Sequence, residues 1–399
     1  MKKNILKYAL IIVIFLMIIL IRYMYMDTAF WYDEACSWFT SVQSFPSGII
    51  NNLMNLDLQH TPLYFFILHF WMKIFGQGET ALRFLSLIFS IASIPLVYIV
   101  AKKISSKTVA LFAMLVCAFS PLLSLFSVEV RMYPLAVFLV LLSLNYLIDF
   151  ENKPNRISLI KLIAVNILIP YTYVGGILYN FSLILCYSAH LYRNNKSVLK
   201  KYLFYEVIEY AALIPYFLMI IYYALKRHLF VIAHEGSMNF AQIIDIIRNF
   251  FGATITTNIY WPSTEPYVLT FWFCLLVVAP CVYFIYGLIS GLKIKNDFIN
   301  TLFKIVLLNF ALFIVCSYFK ICVLTVRYLL YLLPPLFILS VLGLYNSLKT
   351  KHFKIFLTFF IAGSICFSLY NVPRFKILKE HSFKTVSLEA AQLDLSNED

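Results

Sequence analysis

Charge is what this sequence has least of: 13% of its 399 residues are Asp, Glu, Lys or Arg, against about a quarter in soluble globular domains. Acidic residues are the scarcer sign, 19 against 32 basic. Glycine and proline are few, at 11 and 14, and no internal repeat, low-complexity tract or flexible linker is evident, which excludes solenoid and linker-rich architectures. None of the eight cysteines falls at a metal-ligand spacing, so a zinc module is excluded as well.

Apolar residues fill the space, 62% of the chain. They form recurring runs of roughly 18 to 22 residues, each long enough to cross a hydrocarbon core about 30 Å thick. That repetition excludes a soluble enzyme with one anchor. A net charge of +13 would suggest nucleic acid in a soluble protein, but here the basic residues stand between the apolar runs and read as topology signals. Membrane lipid, not nucleic acid, is the expected surrounding.

Eleven spans are expected, at about 5–24, 82–101, 108–126, 131–149, 157–174, 175–192, 207–225, 267–291, 302–319, 326–347 and 355–371. The first follows Lys2, Lys3 and Lys7 and lacks a small-residue cleavage site before Arg22, so it reads as an uncleaved signal anchor. Residues 61–75 are apolar but short, opened by Pro62 and interrupted by His69 and Lys73. If they lie in the interface, six cytoplasmic segments carry 19 of the 32 basic residues, as the positive-inside rule requires. If they cross, Lys102, Lys103 and Lys107 move outside. The expected protein is therefore a multi-pass cell-membrane protein with its N-terminus cytoplasmic. It is one transmembrane domain over 1–371, with outer loops 25–81 and 226–266 and an outer tail 372–399. Within the second loop, Phe240, Ile243, Ile244, Ile247, Phe250 and Phe251 recur at helical spacing, predicting an amphipathic interfacial helix. Glu206 and Glu209 fall near the cytoplasmic end of the seventh span and are expected to snorkel to the interface.

On the outer side polar chemistry concentrates. Phe30-Trp31-Tyr32-Asp33-Glu34 puts an acidic pair after interfacial aromatics. Neighbours on a helix point in different directions, so one carboxylate can face a cavity while the other faces a supporting partner. The alternative is an N-cap, with Asp33 accepting backbone bonds. Then come Asp57, His60, Tyr64, Arg83, Glu129, Arg131, Tyr133, Arg327 and Tyr328, all on one side of the expected topology. Charges at mid-bilayer cost about 3 kcal/mol each on insertion scales, so they should cluster at the mouth of a wet cavity.

These residues resemble a family pattern. Asp33-Glu34, the DLQHTPLYF block Asp57 to Phe65, the F-G-x-x-E-x-x-L-R pattern from Phe75 to Arg83, Glu129-Val130-Arg131-Met132-Tyr133, and Arg327-Tyr328-Leu329-Leu330 with Pro334 and Pro335 are similar to motifs of membrane-embedded GT-C glycosyltransferases. The group resembled is that of the protein O-mannosyltransferases and aminoarabinose transferases. Where many relatives carry His in a T-H-Y stretch, this chain has Tyr171-Thr172-Tyr173.

The resemblance implies an all-α GT-C-like fold and an inverting transfer of a sugar from a polyprenyl-phosphate carrier to a cell-envelope acceptor, on the extracytoplasmic face. Asp33 would be the base, with Glu34 and Glu129 supporting. Arg131, Arg327 and Arg83 would bind the phosphate, since a guanidinium fork matches phosphate oxygens. No cofactor is expected to be required, although Asp57 and His60 could hold a structural divalent ion. The competing classes are a lipid or sugar transporter or flippase, which should carry ionisable relays deep in its spans, and a non-catalytic assembly subunit.

Overall fold

A computed structural model of the chain describes residues 2–26, 30–56, 58, 60–226, 240–251, 278–319, 321, 324–348 and 351–369. Every regular element among them is helical. The candidate Asp57 and the tail from 370 fall outside the described residues.

The chain opens with α1 (Lys2–Met24), followed by three short helices, α2 (Tyr32–Ser41), α3 (Ser47–Leu56) and α4 (Leu63–Phe75). At 13 residues α4 is about 20 Å long, too short to cross. Gly76, at φ 84°, ends it in a conformation that side chains with a Cβ disfavour. The long α5 (Glu79–Ile104) and α8 (Tyr133–Asn152) pack together at the centre. Between them stand α6 (Lys107–Phe119) and the five-residue α7 (Pro121–Leu125). The third expected span, 108–126, is therefore broken, because Pro121 lacks an N–H and disfavours helical backbone at Ser120.

Beyond α8 come α9 (Arg156–Thr172), α10 (Gly176–Asn194) and α11 (Lys196–Lys226). They are followed by the amphipathic α12 (Phe240–Phe251), α13 (Ala279–Gly291) and α14 (Asp297–Tyr318). A 3₁₀ helix, Val326–Leu332, runs into α15 (Leu333–Ser347), and α16 is Lys351–Leu369. Asn155 and Asn296 cap α9 and α14, accepting the N–H groups of Ser158 and Ile299 at 2.9 Å. α13 and α15 cross closely because both carry glycine there: a Cβ on Gly343 would lie 1.8 Å from the Gly287 carbonyl oxygen.

Among the described residues six helical segments are long and apolar enough to cross a membrane: 79–104, 133–152, 196–226, 297–318, 326–347 and 351–369. Each of the other expected spans overlaps a shorter or less apolar helix. α8 and α15 are mostly buried, whereas α11 and α16 expose broad apolar faces, the pattern of helices with lipid on their outer side. One expectation fails on α11. Glu206 and Glu209 do not reach the interface but lie inside the bundle, 1% and 0% exposed, because they occupy the face of the helix that packs on α9 and α10.

Candidate active site

The acidic pair lies in the first turn of α2, where backbone N–H groups lack intrahelical partners. Glu34, not Asp33, answers them: its Oε2 accepts the Trp31 N–H at 3.0 Å. The same carboxylate receives Arg83 from α5 as a fork, Nε to Oε1 at 2.9 Å and Nη2 to Oε2 at 2.7 Å, and Oε1 also accepts the Val130 N–H at 3.2 Å. Arg83 Nη1 donates to the Met26 carbonyl at 2.7 Å. The side chains of Glu34 and Arg83 are 0% and 1% exposed. Glu34 thus fastens the start of α2 to α5 and to the segment before α8.

Arg131 makes a second cross-link. Its Nη1 donates to the Asp33 carbonyl and Ser37 Oγ, at 3.3 and 3.4 Å, and its Nη2 meets His60 Nε2 at 2.6 Å. Arginine only donates, so His60 Nε2 must accept, which puts the ring proton on Nδ1 and leaves the imidazole neutral. The His60 carbonyl accepts the Tyr216 hydroxyl from α11 at 3.3 Å. Tyr64, fully buried, meets Ser86 Oγ at 2.9 Å. Burial pushes its phenol far above the ordinary range, so it serves as a neutral hydrogen-bonding group. Glu129 is buried within electrostatic reach of Arg83 and Tyr64.

Two charged contacts at this buried frame reach the surface, Arg83 with the exposed Glu79 at 3.8 Å and Arg327 with Asp33. Arg327, in the first turn of the 3₁₀ helix, donates from Nη1 to Asp33 Oδ2 at 2.5 Å, with side-chain exposures of 24% and 19%. The guanidinium sits 5.3 Å from the Tyr328 ring. Tyr328 stacks on Tyr173 at 5.8 Å and lies 6.4 Å from Tyr133. Tyr173 also meets Tyr331, whose hydroxyl donates to Asn309 Oδ1 at 2.9 Å. The Tyr133 hydroxyl is buried and unpaired.

The tertiary structure therefore gathers Asp33, Glu34, His60, Tyr64, Arg83, Glu129, Arg131, Tyr133, Arg327 and Tyr328 into one cluster. Three carboxylates stand with three guanidiniums, and a fourth, the exposed Glu79, approaches Arg83 at 3.8 Å. It also divides them. Glu34, Tyr64, Arg83, Glu129 and Arg131 are enclosed by protein, whereas Asp33, Arg327 and Tyr328 are partly exposed. Ser37 and Tyr216 were not singled out in the sequence. Ser37 had a faint signal, one turn after Asp33, and Tyr216 had none. Among the described residues no three His, Cys, Asp or Glu side chains converge on a common point as metal ligands would.

Residues 59–217 match the family model described as dolichyl-phosphate-mannose-protein mannosyltransferase. In three dimensions 88% of the chain superposes on ArnT from Cupriavidus metallidurans in the apo state, with TM-score 0.58 and 12% identity. On the same protein bound to undecaprenyl phosphate, 98% of the chain superposes, with TM-score 0.57 and 12% identity. This is the GT-C glycosyltransferase fold. The Archaeoglobus fulgidus oligosaccharyltransferase in its apo form shares it at TM-score 0.50 and 14% identity over 93% of the chain. Among curated proteins no relative is detectable. The chain spans 62% of the apo ArnT structure, 80% of the undecaprenyl phosphate complex and 55% of the oligosaccharyltransferase. The resemblance read from the motifs is borne out for the fold. The family match takes in His60, Tyr64, Arg83, Glu129, Arg131 and Tyr133 but begins after Asp33 and ends before Arg327.

Proposed function

We propose that this GT-C chain is an inverting glycosyltransferase that moves a monosaccharide from a polyprenyl-phosphate carrier to a hydroxyl of an envelope acceptor, on the extracytoplasmic face. The observation that carries the reading is the partly exposed Asp33–Arg327 pair, set against the buried Glu34–Arg83 fork. Arg327 is the partly exposed guanidinium of the cluster, so an incoming carrier phosphate can take it from Asp33. That exchange would release the Asp33 carboxylate next to the sugar. The acceptor hydroxyl then attacks C1, the C1–O bond to phosphate breaks, Asp33 takes the hydroxyl proton, and the charge left on polyprenyl phosphate is balanced by Arg327. The step calls on a guanidinium, not a metal ion, for the leaving group. Tyr328, partly exposed beside Arg327 and backed by the buried Tyr173 and Tyr133, offers an aromatic edge to the sugar. Arg131, bound to the Asp33 carbonyl, Ser37 and His60, holds the backbone of the base in place.

The decisive experiment is incubation of purified protein with labelled polyprenyl-phosphate sugars and an envelope extract. Release of polyprenyl phosphate by wild type and not by Asp33→Asn supports transfer. A transporter or flippase is the reading that the buried Glu206 and Glu209 favour. It predicts movement of intact donor across vesicles with no release, and that outcome would replace the proposal.

A further inference from the structure

At the membrane face opposite the charged cluster around Asp33, the bundle holds a cavity that the transfer chemistry does not use. Tyr133 opens α8 and Phe150 lies in its last turn, about 25 Å away. The cavity, of about 360 Å³, lies beside Phe150 where the start of α9 meets the first turns of α11. Two exposed cations line it, Arg156 from α9 and Lys201 from α11, and Phe150, Leu159 and Val198 supply apolar wall. No Asp or Glu is among its described lining residues. Two other cavities at this face differ, since Asp297 accompanies Arg193 and Lys304 in one, and Glu151 and Asp297 accompany Lys103 in the other.

Basic side chains at a membrane face ordinarily snorkel into water and set topology. Arg156 is held more firmly than that. Its Nε donates to the Tyr205 hydroxyl of α11 at 3.2 Å, which sets the guanidinium across the gap between the two helices and leaves its Nη groups for a ligand. Among the described residues neither Arg156 nor Lys201 meets a carboxylate. A guanidinium fork and an ammonium beside an apolar wall suit a phosphate group that carries an acyl tail. The tail has apolar surface to follow, because the same turns of α9 and α11 expose Ile157, Ile160 and Phe204. We propose that Arg156 and Lys201 bind the phosphate of an anionic phospholipid from the surrounding leaflet, whose headgroup occupies the cavity and ties α9 to α11.

The test is thermal unfolding of the full chain in detergent with phosphatidylglycerol or phosphatidylcholine added at equal mole fraction, beside native mass spectrometry of the lipid retained. Phosphatidylglycerol is expected to raise the midpoint by about 4 °C over phosphatidylcholine and to stay bound to wild type. Arg156→Gln/Lys201→Gln is expected to lose both effects. Lys293→Gln/Lys295→Gln, which removes two exposed basic residues from another loop at the same face, is expected to keep them. Lys201→Glu leaves the bond from Arg156 to Tyr205 in place and is expected to lose both effects too, so it decides the matter if the first double variant does not accumulate. Equal loss in the two double variants would show a diffuse attraction of lipid to basic surface and overturn the proposal. So would a gain reproduced by glycerol phosphate at the same concentration, which places a soluble phosphate in the cavity, or a wild-type protein that treats the two lipids alike.

Discussion

Asp33 and Glu34 are adjacent in sequence and opposite in circumstance. Glu34 spends both oxygens on Arg83, Trp31 and Val130, whereas the partly exposed Asp33 carboxylate meets Arg327. The two should fail differently when neutralised. Asp33→Asn keeps size and most hydrogen bonding but loses the proton acceptor, so turnover should fall by about 10² to 10⁴-fold with the melting midpoint nearly unchanged. Glu34→Gln strands Arg83 in the interior, so it should cost about 3–5 kcal/mol of stability, read as a lowered midpoint in detergent. Equal midpoints for the two variants would show that Glu34 is not the anchor. Arg327→Lys retains charge but loses the fork and the contact with Tyr328, and apparent donor affinity should drop about tenfold. Unchanged donor kinetics would remove Arg327 from the phosphate site.

At the scale of elements, positions that look unremarkable in sequence set the frame. Gly343 in α15 lies against the backbone of Gly287 in α13, and backbone cannot swing aside as a side chain can. Gly343→Ala should therefore push the two helices apart and cost about 1–3 kcal/mol, seen as a lower melting midpoint with donor specificity retained. A midpoint equal to wild type would mean that this crossing is slack. α2 shows the opposite case. Its first turn was legible from Asp33 and Glu34, but which acid caps it was not, because that depends on Arg83 arriving from α5, 49 residues away.

For the whole molecule the prediction concerns sidedness. Cysteines placed at Lys102 and at Tyr32, both exposed in the structure, should react oppositely with an impermeant thiol reagent in intact cells, Tyr32→Cys labelled and Lys102→Cys protected. Labelling of Lys102→Cys would invert the topology read from the basic loops. The sequence by itself determined the helical class, the apolar segments, the short α4 and most members of the charged cluster, though not Ser37 or Tyr216. Hydropathy, charge placement and motif order are local properties that survive without coordinates. Only the tertiary structure decided the roles within that cluster. Whether a carboxylate caps, anchors or stands free depends on partners such as Arg83, Arg131, His60 and Arg327, which reach it from distant segments. The same reason explains Glu206 and Glu209. A span carrying two acids reads alike whether it turns them to lipid headgroups or to its neighbours, and the packing of α11 on α9 and α10 turned them inward.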